Sequence, residues 1–214
     1  MPGVTISAGY GAGGSAVAPA VAKRLGLQLL DRAISSAVAA QLQVTVAEAE
    51  DGVCKRSIGE RFLAILAPLA GGVLGAGTDA APVEVAGSTD EAVAFREPAE
   101  RIMRQALAGG AVILGRAGAA AFVDEPEVLR VRLFGPPEAR ISQGARLESV
   151  DVETARRRLP DVDNARAQYV RRLYRVHVDD PQLYHLQLDS TALGIETCAE
   201  LIALAYRSLV GLSR

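Results

Sequence analysis

The stretch that most constrains this chain is Val4-Thr5-Ile6-Ser7, followed by Ala8-Gly9-Tyr10-Gly11-Ala12-Gly13-Gly14-Ser15. A β-branched run feeds a glycine-dense turn, and Ala16 to Leu25 reads as the helix leaving it. Glycines let the backbone take positive φ and come close to a ligand. The free N–H groups of a helix start favour an anion such as phosphate. The spacing supports two readings. A phosphate-binding loop of the Walker type carries a Lys after its last glycine, whereas here Ser15 follows Gly14. Gly9, Gly11 and Gly14 also spell the G-x-G-x-x-G of a dinucleotide-binding turn, with Asp31 where its ribose-binding acid is expected.

Only Lys23 and Lys55 are lysines; every other basic side chain is Arg. On a continuous helix Lys23 stands ~12 Å beyond Ser15 along the axis, too far to replace a loop lysine. Positive charge for a bound phosphate therefore has to come from arginines elsewhere or from Lys55.

The 214 residues suit one α/β domain with a small insertion, and 50% hydrophobic residues are enough for a sizeable core. A net charge of −2 gives no general attraction to nucleic acid or to an anionic membrane. The apolar, uncharged run Phe62 to Gly77 is shorter than the ~20 residues of a membrane span and is interrupted by Pro68 and glycines. Cys54 and Cys198 are too few for a disulfide framework or a zinc site and read as buried thiols of a reducing compartment. With a strand at the very start and no leader-like segment, a cytoplasmic protein is expected.

Strands are expected at Gln28–Leu30, Ala111–Leu114, Val128–Phe134 and Leu183–Leu188, separated by helical stretches. Such alternation gives a parallel sheet covered by helices on both faces. Ala111-Val112-Ile113-Leu114, an apolar run bounded by glycines, reads as a fully buried strand. The alternating Arg130 and Arg132 place the next strand nearer a sheet edge. Pro19 is expected to kink or delay the first helix, and Pro98 to break or kink the helix opened by Ser88-x-x-Glu91. Separate helices are expected at Val152–Leu159 and Asp161–Arg175, and Gly71–Ser88 reads as a mobile loop.

Ligands of such sheets bind beyond the carboxyl ends of the strands. The residues found there are the glycine loop, Asp31 and Arg32, Arg116, and Asp189-Ser190-Thr191. A second cluster is basic and helical: Arg156, Arg157, Arg158, Arg166, Arg171, Arg172 and Arg175, with Tyr169 and Tyr174 among them. One reading is a solvated helix face. The other is a lid that brings guanidiniums over a transferring phosphate, as phosphoryl transfer requires. His177 and His185 lack the spacing of a metal pair and read as surface or hydrogen-bonded structural residues.

With these pieces placed, the chain resembles the cytidylate kinase-like family of P-loop proteins. The resemblance rests on Ile6-Ser7 with Tyr10-Gly11-Ala12-Gly13-Gly14, on Leu25-Gly26 leading to Leu30-Asp31-Arg32, and on Ile113-Leu114-Gly115-Arg116. Further on come Asp163-x-x-Arg166-Ala167-x-Tyr169, Asp180-Pro181 with Tyr184, and Leu188-Asp189-Ser190-Thr191. It implies an α/β P-loop, nucleoside monophosphate kinase-like sheet in one domain, with a helical acceptor-binding insertion at about 43–88 and a helical lid at about 147–180. It implies transfer of the ATP γ-phosphate, with Mg²⁺, to a nucleoside monophosphate such as CMP. Gly11, Ala12, Gly13, Gly14 and Ser15 would hold the ATP phosphates, with Ser15 a ligand of Mg²⁺. Asp189, Ser190 and Thr191 would lie near the nucleotide. Asp31, Arg32, Arg116 and Asp163 would face the acceptor, and Arg116 and Arg166 would serve catalysis. The departures from the family pattern are Gly14 in place of the P-loop lysine, and Ser15 and Ala8 where arginines are often found. They leave a catalytically weak nucleotide-binding protein as the alternative. A homodimer through the apolar Phe62–Leu74 stretch is a further expectation.

Overall fold

In a computed structural model of the chain, residues 2–30 and 89–212 are described. The insertion at 43–88, the loop at 71–88, the apolar 62–74 stretch, Asp31, Arg32, Cys54 and Lys55 lie outside the described residues.

Strand β1 (Gly3–Ala8) runs into the glycine loop and then helix α1 (Gly14–Leu25). Strand β2 (Gln28–Leu30) follows, and beyond the undescribed stretch come α2 (Thr89–Ala108) and β3 (Ala111–Leu114). Next are a short α3 (Gly118–Ala121), β4 (Val128–Phe134), α4 (Pro137–Glu148) and the long α5 (Val152–Tyr174). A 3₁₀ turn (Pro181–Leu183), β5 (Leu186–Asp189), a one-turn α6 (Ser190–Leu193) and α7 (Ile195–Leu212) close the chain.

The five strands form one parallel sheet in the order β2-β3-β1-β4-β5. Strand alternation splits the core between its faces. Val4, Ile6, Val112, Leu114, Val131 and Leu133 pack with α1 and α7, whereas Ile113 and Val128 pack with Met103 and Leu107 of α2. Cys198 is a buried free thiol on α7.

Strand β4 lies one strand in from the edge, paired with both β1 and β5. Its arginines are accommodated by local acceptors: Arg130, only 7% exposed, donates from Nε to the Leu183 carbonyl and from Nη1 to that of Phe122. The Arg130 backbone N–H also donates to His185 Nδ1, so this histidine is hydrogen-bonded to the strand.

The prolines break less than expected. Helix α1 is continuous through Pro19, which faces solvent, and α2 is continuous through Pro98. Likewise α5 is one helix through Pro160, not two. The donor that Pro160 lacks would have served the Arg156 carbonyl. Both residues are on the exposed side, where water can replace the lost bond. Ala155 and Val162, fully buried on either side of the proline, hold both halves against α4. The last strand begins later than expected because Asp180 caps the 3₁₀ turn, its Oδ1 accepting from the Gln182 N–H at 2.9 Å.

Among the described residues, no helix is long and apolar enough to cross a membrane.

Candidate active site

The loop after β1 is shaped by glycines at left-handed φ: Gly11 at +70° and Gly13, the N-cap of α1, at +73°. It is then tied down by side chains from three other helices. Arg166 of α5 donates to the Ala8 carbonyl at 2.8 Å. Asp163, one turn earlier on α5, accepts the Tyr10 N–H at 2.7 Å through Oδ1. Its Oδ2 accepts from Arg140 of α4 at 2.6 Å, and the same Arg140 nitrogen donates to the Tyr10 carbonyl at 3.1 Å. Gln143 of α4 donates to the Gly11 carbonyl at 2.9 Å. Ser190 of α6 donates to the Ala12 carbonyl at 2.7 Å.

The Tyr10 side chain, 2% exposed, packs with Ile141, Ala145, Ala155 and Val162 between α4 and α5. Its hydroxyl donates to Glu148 at 3.0 Å, and Arg158 donates to the same carboxylate oxygen at 2.9 Å. Burial first, and then the Glu148 charge, push the Tyr10 hydroxyl up to about 12, so it stays a donor at neutral pH.

Beside the loop lies a cavity of about 300 Å³ at the carboxyl ends of β1 and β4, under α5. Ala8, Gly9 and Leu133 line its apolar part. Arg132, Arg140 and Arg166 bring three guanidiniums to it, and Asp163 and Asp179 two carboxylates. Two of these arginines are not among the expected site residues: the sequence shows Arg132 only as a sign of a strand near the sheet edge, and it does not single out Arg140. The alternation along β4 was the signal for Arg132, and nothing in the sequence separates Arg140 from the other helical arginines.

Of the seven arginines of the basic stretch, Arg166 alone lines this cavity. Arg156 pairs with Glu138 of α4 and Arg158 with Glu148, while Arg157, Arg171, Arg172 and Arg175 are exposed. Most of that stretch is therefore a solvated face that ties α5 to α4.

Arg116 follows β3 at φ +57°, between Gly115 at +76° and Ala117 at +54°. A non-glycine run of this kind is strained and persists only where the surroundings enforce it. Arg116 lies near Tyr169 of α5, where its charge opposes the upward push that burial gives the phenol. It does not line the cavity beside the loop.

At the end of β5 the polar residues bond within the protein. Asp189 accepts from the Thr191 and Ala192 N–H groups and from the Thr191 hydroxyl, which hold its carboxyl below the usual carboxylate range. Ser190 is fully buried, with its hydroxyl on the glycine loop. Replacing Ser190 with Ala is expected to leave the Ala12 carbonyl without its donor and to lower stability by about 1–3 kcal/mol, read from urea unfolding. An unchanged midpoint would show that water replaces the hydroxyl.

Comparison with known proteins gives a consistent picture. Over an alignment 101 positions long that covers 43% of this chain, the sequence is 35% identical to cytidylate kinase of Methanopyrus kandleri, and it spans about half (52%) of that protein's length. An uncharacterized protein of Eubacterium ventriosum superposes with a TM-score of 0.63 over 97% of this chain and 98% of its own, at 18% identity; that likeness concerns the fold. The family description that matches runs from residue 3 to residue 192, from the first strand through the loop, the cavity and α6, and on that match the chain belongs to the cytidylate kinase-like family.

Proposed function

We propose that the protein transfers the γ-phosphate of ATP to a nucleoside monophosphate such as CMP, acting in the cytoplasm. The observation that carries the reading is the meeting of Arg132, Arg140 and Arg166 at one cavity beside the loop. Phosphoryl transfer asks the protein for positioned positive charge and exclusion of water more than for covalent chemistry. In this reading Arg166 is the catalytic guanidinium, Arg116 serves the acceptor side, and residues 147–180 act as the lid.

The loop suits a triphosphate. Gly13 at the N-cap has no side chain to cap the helix, and with the Ala16 N–H on the Gly13 carbonyl at 3.0 Å the N–H groups of Gly14 and Ser15 are the ones that would meet an anion. Ser15, exposed at the first turn, is the hydroxyl that would reach a Mg²⁺ ion. Phosphate oxygens would supply further ligands of such an ion. When bound, the ion would neutralise charge on the phosphates. The chain's own part is to fix the loop through Asp163, Arg140, Gln143 and Ser190, and to hold Arg166 at its edge.

A second reading, a nucleotide-binding sensor of little catalytic power, is favoured by one observation. Where the family lysine is expected stands Gly14, packed so that a Cβ would lie 2.8 Å from that of Ala8, and Lys23 is exposed further along α1. A coupled ADP-release assay with ATP–Mg²⁺ and a panel of nucleoside monophosphates, CMP included, separates the two. An acceptor-dependent rate is expected; ATP binding without turnover would establish the sensor instead.

A further inference from the structure

Arg132 and Arg130 lie two residues apart on β4, on the same face, yet they are held differently. Arg130 is satisfied by two backbone carbonyls, as a structural arginine is. Arg132, in register with Ser7 of β1, donates from Nη1 to the Ser7 hydroxyl at 3.2 Å and from Nη2 to Asp179. Its guanidinium stands 5.9 Å from the centre of the Tyr184 ring and forms one wall of the cavity.

The Arg132–Asp179 pair is unequal. The Arg132 side chain is 13% exposed, fixed by the strand, by Ser7 and by Tyr184, whereas the Asp179 side chain is 81% exposed. Asp179 sits in the turn closed by the Asp180 N–H donating to the His177 carbonyl at 3.0 Å. The Tyr184 hydroxyl donates to the Val178 carbonyl at 2.7 Å and holds that turn beside Arg132. A largely covered cation is thus neutralised by a carboxylate that faces water. Such a pair gains little from its anion, and a phosphoryl group with more charge and more acceptor oxygens competes well for the same guanidinium.

We infer that Arg132 is a phosphate contact of this cavity and that Asp179 occupies it as a built-in competitor until a phosphorylated ligand displaces the carboxylate. The inference rests on reading the cavity as the place of a nucleotide phosphate, from donor or acceptor alike. Arg132 thereby supplies part of the charge that the glycine loop lacks, from a neighbouring strand.

The test is equilibrium binding of ATP, CMP and inorganic pyrophosphate by calorimetry to the full chain and to Asp179→Asn, Arg132→Gln and the double variant. Asp179→Asn is expected to bind one or more of these about three- to ten-fold more tightly, and Arg132→Gln roughly ten-fold more weakly. The double variant should behave as Arg132→Gln does. Whichever of ATP and CMP responds identifies the source of the phosphate. Asp179→Asn alters only an exposed side chain, so its result stands whether or not Arg132→Gln folds.

Binding by Asp179→Asn no tighter than wild type overturns the inference; if wild type also shows acceptor-dependent ADP release, the proposed function survives that failure. Tighter binding by Asp179→Asn in a protein without turnover supports the inference and removes the proposed transfer. Failure of wild type to bind any of the three probes overturns both.

Discussion

Arg166→Ala is expected to lower acceptor-dependent ADP release by roughly 10²–10³-fold, the cost of removing one preorganised charge from a developing transition state. The residue is placed for this effect. Its guanidinium meets the Ala8 carbonyl at 2.8 Å, where β1 enters the glycine loop, and it lines the cavity. Because it also tethers the loop, the assay must separate the two roles. Loss of the charge acting on the transferring group lowers kcat while the Kd for ATP changes little; loss of the tether alone weakens ATP binding and leaves kcat near wild type. The second outcome would reassign Arg166 as a positioning residue.

Gly11→Ala is expected to be the most destructive single change to the loop, lowering stability by on the order of 3 kcal/mol and abolishing nucleotide binding. Two costs add. The backbone sits at φ +70°, where an L side chain is strained, and a Cβ would lie 1.9 Å from the Arg140 carbonyl oxygen. That contact is backbone on backbone, so no rotamer relieves it. Gly144, one turn further along α4, belongs to the same crossing, its own Cβ position 3.2 Å from Gly11 Cα. Gly26→Ala provides the scale. It shares the left-handed φ at +65° with nothing within 4 Å, so it should cost only about 1 kcal/mol. Thermal unfolding of the two variants measures the difference. Equal losses would show that the crossing of loop and α4 is slack.

Much of the fold was legible because its signals are local. The buried strand Ala111–Leu114 reads as an apolar run bounded by glycine, and the turn at Gly11–Gly14 as a concentration of residues that tolerate positive φ. The prolines misled because a helix interrupted on its solvent side can hydrate the freed carbonyl. Whether Pro160 faces water depends on packing from α4 that the local sequence does not display.

The site was legible in part. Position along the chain pointed to the loop and to Arg166, which lines the cavity, and equally to Arg116, which does not. It could not rank the arginines, since a guanidinium spent on Glu138 and one lining the cavity are the same letter in the sequence. Ser190 shows the same limit. Proximity to a strand end suggested a ligand contact, whereas its hydroxyl reaches inward to the loop.

The attachment of the loop to α5 has a consequence for motion. The Tyr10 N–H finds its acceptor on Asp163, a side chain of a different helix and 153 positions away in the chain. Exchange of that amide with solvent deuterium therefore requires α5 to leave the loop, whereas the strand amides below it wait for the sheet to open. The Tyr10 amide thus reports how often α5 swings clear of the loop, and nucleotide that closes the two together should slow its exchange further.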